Sequence, residues 1–258
     1  MKHILVCVKA VPVSTSVQVD GQYRLARNGV SLQWNIADES ALEAALSLKD
    51  KDGTVTVLTM GPAKLEEHLK ELLARGADQA VLVSDPCMAG ADTRATAAAL
   101  KAAAEKLGPY DLILCGRRAI DGETGHVPAQ LAAALEIGCV SDAEQLTREG
   151  DSLMISRRME DGVQLLRAEG PLVVSLCEYS YRLRRPGILS LRKAQSKSVT
   201  KLSAEDLGLG AEDCGLQGSL TKVVAMKQTF PGLRQGPRTT DLSAGIAQMA
   251  AMIREAQP

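Results

Sequence analysis

The chain has 258 residues, with 30 Lys and Arg against 31 Asp and Glu, a net charge of -1 and a pI of about 6.3. That balance gives no overall field for drawing in DNA or an anionic membrane, and an aromatic content of 2% argues against a base-stacking platform for single-stranded nucleic acid. With 45% hydrophobic and 24% charged residues, the composition is that of an ordinary globular protein long enough to bury a substantial core.

In chain order, His3 to Lys9 reads as a central strand rich in Leu and Val, left abruptly at Pro12, which cannot donate to a ladder. Met1 to Ala10 lacks the apolar run of a signal peptide and no window is long enough to span a bilayer, so a cytoplasmic protein is expected. Val17 to Ser31, with Asp20-Gly21 between β-prone residues, suggests a small hairpin. A helix starts in Asn35-Ile36-Ala37-Asp38-Glu39-Ser40, with Leu42, Ala45 and Leu46 on its apolar face and acidic residues in its first turn. Thr54 to Met60 is an alternating strand, and Leu65, Leu69, Leu72 and Leu73 mark the next helix, stopped at Gly76. Gln79 to Ser84 is a further strand, followed by an Ala-rich helix over Asp92 to Leu107 that opens on an Asp cap and stops at Gly108.

The stretch Asp111 to Leu135 organises the rest. It opens with the buried-strand pattern Leu112 to Cys115 and closes with a helical segment, Pro128 to Leu135. Between them lies a loop with Gly116, Gly122, Gly125, Asp121, Glu123, Thr124 and His126. A crevice at strand carboxyl ends beside a helix N-terminus is a common nucleotide site in an open α/β sheet, although taken alone this loop matches no phosphate-binding fingerprint and reads equally well as a plain connection. After Gly138 four strand-like runs, Glu144 to Arg148, Ser152 to Met159, Val163 to Glu169 and Leu172 to Cys177, suggest an antiparallel meander. Tyr179 to Lys201 is basic around the apolar residues Ile188, Leu189 and Leu191; Lys201 to Pro237 shows few periodic signals and looks like an extended arm, and Ser243 to Ala256 suits a terminal helix. The fold expected is α/β, a three-layer, doubly wound, mainly parallel sheet with an antiparallel extension and a C-terminal arm.

Six cysteines, Cys7, Cys87, Cys115, Cys139, Cys177 and Cys214, are scattered without a C-x-x-C pair, and three dispersed histidines offer no metal-ligand spacing. No metal site and no catalytic residue is therefore assigned, His126 included, because no nucleophile accompanies it. The basic run with an Ile-Leu tip suits a docking surface better than a solvated face.

Five separated stretches carry a resemblance: Cys7-Val8-Lys9, Asn35-Ile36-Ala37-Asp38-Glu39, Met60-Gly61-Pro62, Gly116-Arg117-Arg118-Ala119-Ile120-Asp121 and Arg182-Leu183-Arg184-Arg185-Pro186. Together, in unchanged order over about residues 1 to 230, the chain resembles the beta subunit of electron transfer flavoproteins. The resemblance implies a heterodimer with an alpha subunit that carries the electron-transferring FAD, and a beta-subunit pocket holding AMP in the commoner branch or a second FAD in the electron-bifurcating branch. Asp121-Gly122-Glu123-Thr124-Gly125-His126-Val127 looks like the bifurcating pattern, with His126 where the family has Gln, so FAD is favoured and AMP is the alternative.

Carried over position by position, the resemblance implies a pocket built from Cys7, Val8, Asn35, Ile36, Ala37, Asp38, Met60, Gly116, Arg117, Arg118, Ala119, Ile120, Asp121, Gly122, Glu123, Thr124, Gly125, His126 and Val127. It also implies a recognition loop over about residues 180 to 200 with Ile188, Leu189 or Leu191 docking on a partner dehydrogenase, and a segment 201 to 258 contacting the alpha subunit. The implied function is electron transfer from NADH through FAD to an acyl-CoA dehydrogenase-type flavoprotein and a low-potential ferredoxin or flavodoxin. A reading from another class is an adenine-nucleotide-binding regulatory module on a similar sheet.

Overall fold

A computed structural model describes residues 1–13, 31–224 and 239–255; the expected hairpin around Asp20-Gly21 lies outside them. The chain divides into two compact units, Met1–Val223 and Val224–Pro258. In the first unit, β1 (His3–Cys7) is followed by a two-stranded ribbon of β2 (Ala10–Pro12) and β3 (Leu32–Trp34), then α1 (Ile36–Leu48), β4 (Thr54–Met60), α2 (Leu65–Ala74) and β5 (Gln79–Val83). A 3-10 turn, Pro86–Met88, leads to α3 (Thr93–Leu107), β6 (Leu112–Gly116), α4 (Val127–Ala134), β7 (Gly138–Glu149), β8 (Ser152–Met159), β9 (Gly162–Ala168) and β10 (Leu172–Leu176). After α5 (Ile188–Gln195) come β11 (Thr200–Leu202), 3-10 turns at Glu205–Leu207 and Ala211–Asp213, and the one-turn α6 (Gly215–Gly218).

The sheet has nine strands in the order β11-β5-β4-β1-β6-β10-β7-β8-β9. Every pair from β11 to β7 is parallel, and β7-β8 and β8-β9 are antiparallel. The expected architecture is therefore present, with one difference in the meander. Its fourth run, β10, sits between β6 and β7 and pairs parallel with both. The residues Leu172 to Leu176 are all buried, as an internal strand covered on both faces requires, whereas β9 is mostly exposed. The turn signals between the runs were the same, so they could not distinguish a return hairpin from a strand carried back into the sheet.

Period-two alternation sorts each central strand between two cores. Ile4, Val6, Leu112, Leu114, Leu172 and Val174 face the core shared with α1 and α2, while Leu5, Cys7, Ile113, Cys115 and Val173 face the core shared with α3 and α4. Beyond Lys201, where the sequence loses its periodicity, β11 adds to the sheet edge beside β5 and Leu202, Ala204 and Cys214 are buried. Long-range hydrogen bonds to Asp85 and Asp92 hold this segment: Asp85 accepts from the Ala204 N–H and Asp92 from the Thr221 N–H and hydroxyl. In the second unit α7 (Leu242–Glu255) is started by Asp241, which accepts from the Ala244 N–H at 3.1 Å. Among the described residues no helix is long and apolar enough to cross a membrane.

Candidate functional site

The parallel strands deliver their carboxyl ends to one edge of the sheet, where β1 ends in Cys7 and Val8, β4 in Met60 and β6 in Gly116. Three polar side chains knit that edge to the N-terminus of α1. Asn35 precedes the helix in the position of a cap, yet its side chain does not cap; Nδ2 donates to the Arg118 carbonyl at 3.0 Å and Oδ1 accepts from the Ile120 N–H at 3.3 Å. Asp38, expected to face the helix dipole, turns inward and accepts from the Lys9 N–H (2.7 Å) and the Gly116 N–H (3.0 Å). Lys9 in turn reaches across the mouth with Nζ 2.7 Å from Asp121 Oδ1.

Close approach sets the residue at the end of β6. A Cβ on Gly116 would collide with Asp38 Oδ1 and lie 2.7 Å from the Ala37 Cβ, so α1 can cross here only over glycine. Asp38 is buried, and the loss of solvation pushes its carboxyl up to about 7 despite the two backbone donors. Cys115 is buried beneath the site, where the neighbouring Cys7 and the loss of solvation push its thiol well above the ordinary value, so it is closed off from reagents and serves as packing.

Beyond Gly116 the loop is open to solvent. Gly122, Glu123, Thr124, Gly125 and His126 are exposed and Ala119, Asp121 and Val127 are half-buried. The chain turns through the left-handed region at Glu123 (φ 50) and Gly125 (φ 65), held by the Glu123 N–H donating to the Ala119 carbonyl at 2.8 Å. The N–H groups of Thr124, Gly125, His126 and Val127 meet no acceptor among the described residues. They stand at the start of α4, where unpaired donors and the helix dipole favour an anion. A Cβ on Gly122 would meet nothing within 4 Å.

Behind the loop a cavity of about 190 Å³ is lined by Arg117, Arg118, Glu123, Thr124, Gly125, Ser141, Asp142 and Ser175. Arg117 Nε lies 2.7 Å from Glu178 Oε2 and its NH1 lies 3.4 Å from Asp142; Arg118 Nε lies 3.3 Å from Glu178 Oε1. The two guanidinium groups therefore face carboxylates of this chain as well as the cavity.

The structure brings Cys7, Val8, Asn35, Ala37, Asp38, Gly116 and the 117–127 loop together around the ends of β1 and β6. Ile36 is half-buried in the first helical residue, and Met60, also half-buried, lies at the end of β4 on the other side of β1 from β6. Sequence reasoning missed Lys9 as a site group and Ser141, Asp142, Ser175 and Glu178 altogether. The last four come from β7, β10 and the residues just after it, and the signal for them was a strand inside the parallel sheet, which the meander reading hid. Ile188, Leu189 and Leu191 lie on α5 rather than on a loop and are 77%, 72% and 40% exposed, with Ala194 of the same helix buried in the core.

The family profile described as electron transfer flavoprotein domain matches residues 23–207. The chain is 42% identical over 226 residues, 86% of each chain, to an electron transfer flavoprotein subunit beta of Thermoanaerobacterium thermosaccharolyticum. It is 40% identical over 224 residues, again 86% of each, to the caffeyl-CoA reductase-Etf complex subunit CarD of Acetobacterium woodii. To an acryloyl-CoA reductase electron transfer subunit gamma of Anaerotignum propionicum it is 38% identical over 230 residues, also 86% of each chain. A matched profile over most of its length, together with relatives of this identity and coverage, makes the chain a member of the electron transfer flavoprotein family, among its beta subunits.

Proposed function

We propose that this chain is the beta subunit of an electron-bifurcating electron transfer flavoprotein, holding FAD at the carboxyl edge of its sheet. In this reading it pairs with an alpha subunit, takes electrons from NADH and passes them to an acyl-CoA dehydrogenase-type flavoprotein and to a low-potential ferredoxin or flavodoxin. The observation that carries the reading is the loop itself: four N–H groups leading into α4 that meet no acceptor among the described residues, beside an open Gly122, suit a pyrophosphate and the ring system attached to it. The printed names of two relatives, a caffeyl-CoA reductase-Etf complex subunit and an acryloyl-CoA reductase electron transfer subunit, support an acyl-CoA-type partner.

The bound flavin supplies hydride acceptance and one-electron release. The chain's own residues bind and orient it. The 124–127 N–H groups would hold its phosphate oxygens, with Lys9 and Asp121 fixing the loop over the end of β1, Asn35 fixing its entry, and Arg117 and Arg118 setting the electrostatics of the cavity behind it.

A second reading, a non-bifurcating subunit with structural AMP, is favoured by one observation: Glu178 and Asp142 already pair with the two arginines. That leaves less uncompensated positive charge for a dinucleotide, whereas a single phosphate needs only the head of α4. The deciding experiment is mass spectrometry of the nucleotide released on denaturing the chain purified with its native alpha subunit. Two FAD and no AMP per heterodimer are expected; one FAD and one AMP would overturn the FAD assignment.

A further inference from the structure

On the same edge of the sheet, past the end of β5, lies a cavity lined by Cys87, Ala89, Ala211, Cys214, Leu216 and Gln217. It brings together two cysteines that are 127 residues apart in sequence (214 minus 87) and both free. Cys87 is exposed in the 3-10 turn after β5, whereas Cys214 is 3% exposed at the start of α6. Backbone packing sets the approach. Gly215 has φ +51, and a Cβ there would collide with the Cys87 carbonyl and lie 2.7 Å from that of Ala89, so the residue after Cys214 rests directly on the Cys87 turn. Both cysteines line this one cavity.

Both flanks of the pair are fixed independently of it. Asp85 accepts from the Cys87 N–H at 3.0 Å with one oxygen and from the Ala204 N–H at 3.2 Å with the other, so the turn and the approach to Cys214 share one carboxylate. On the far side Asp92 N–H donates to Ser219 Oγ at 2.8 Å, and Arg94 donates to the Gly218 carbonyl at 2.8 Å. A crosslink requires Cα atoms a few ångströms apart and held so, since wider pairs need the backbone to move.

We propose that Cys87 and Cys214 are a dithiol modification site, at which exchange with a small disulfide closes a bond that staples the turn after β5 to the segment Ala211–Gly218. The chemistry runs in two balanced exchanges. The exposed Cys87 sulfur, as thiolate, attacks the small disulfide, forming a mixed disulfide and releasing one small thiol. Cys214 then displaces the second small thiol and forms the protein S–S bond. The small disulfide is reduced to two thiols, which take up the two protons, and the protein dithiol is oxidised. Loss of solvation, then Asp85 and Cys214, push the Cys87 thiol up to about 12, so the reduced pair is protonated at neutral pH and the first exchange is slow.

The test is to incubate the purified full chain with oxidised glutathione, block remaining thiols with iodoacetamide, digest, and map linked peptides without reduction. A Cys87–Cys214 peptide pair and two fewer alkylated thiols than in the reduced control are expected. In Cys87→Ser, a change at an exposed position that leaves folding intact, loss of the Cys214 thiol should slow at least tenfold, because its direct access is closed. A glutathione adduct that persists on Cys87 while Cys214 remains alkylatable would overturn the proposal, as would equal rates of Cys214 loss in the wild-type and Cys87→Ser chains.

Discussion

Lys9 Nζ lies 2.7 Å from Asp121 Oδ1, joining the second residue after β1 to a loop 112 positions later in the chain. The Lys9 side chain is 42% exposed and that of Asp121 only 5%, so the pair is asymmetric: the carboxylate is the member that cannot return to water. Removing Lys9, one partner of that carboxylate, therefore costs more than removing a surface ion pair. For Lys9→Met we expect a loss of roughly 1 to 3 kcal/mol in urea unfolding, with reduced nucleotide content in the purified protein. An unchanged nucleotide content would mean that the loop does not depend on this strut.

Glycines in the same loop separate packing from binding. Gly116→Ala drives a Cβ into Asp38 and Ala37, and because the obstacles are a helix terminus rather than a flexible tip, relief requires α1 to shift. We expect a cost of about 3 kcal/mol or more, read as a lower denaturation midpoint. Gly122→Ala meets nothing within 4 Å and should leave stability within about 0.5 kcal/mol. In the proposed nucleotide site its effect would fall on the ligand, so loss of bound nucleotide with an unchanged midpoint is the expected signature. A Gly122→Ala chain that unfolds early would contradict the open geometry.

These residues also show what the sequence made legible. Thr54–Met60 is recovered with the bounds its alternation dictates, and Asp92 caps α3 through the Ala95 N–H, because both features are local: a period of two and a side chain bonded to its own turn. The inward turn of Asp38 is not local. Whether an acidic residue in a first helical turn faces solvent or a neighbouring strand depends on the lengths of β1 and β6 and on glycine at 116, and nothing in Asn35 to Ser40 encodes that. Asn35 stands in the cap position without capping for the same reason, since Arg118 and Ile120 engage its amide. Glu178 and Asp142 were hidden by one misplaced strand, since a position at the end of a parallel strand faces the crevice and the same position in a meander does not.

Asp38 makes stability depend on pH with a definite sign. Its carboxyl is pushed up to about 7 in the folded chain from an ordinary value of 3.8, chiefly by burial. Between those values the folded state holds a proton that the unfolded state has released, so stability falls as pH rises from about 4 to about 7 and the slope vanishes outside that window. The ceiling on this one group is roughly 4 kcal/mol. Asp38→Asn removes the titration while keeping one acceptor for either the Lys9 or the Gly116 N–H, at a fixed cost of about 1 to 3 kcal/mol. The wild-type advantage in urea midpoint should therefore shrink as pH rises through this window and reverse if the full ceiling is reached. Parallel curves would show that the buried carboxyl does not titrate there.

The exposed face of α5 yields the prediction most distant from the nucleotide. Ile188 and Leu189 project 77% and 72% of their surface to solvent, while Ala194 anchors the helix and Arg184, just upstream, grips Glu43 of α1 through Nε and NH2 at 2.7 to 3.2 Å. A helix fixed at its root with apolar residues at its tip is costly to leave solvated and suits burial in a partner's surface. Leu189→Ala should leave the unfolding midpoint within about 0.5 kcal/mol and lower the rate of electron delivery to the dehydrogenase partner about fivefold to thirtyfold, the range expected for losing a 1 to 2 kcal/mol contact. The loss should fall on the apparent KM for the dehydrogenase, with the rate of flavin reduction by the upstream donor unchanged. If both half-reactions slow together, the side chain is supporting the fold or the flavin, and docking by this helix is not its role.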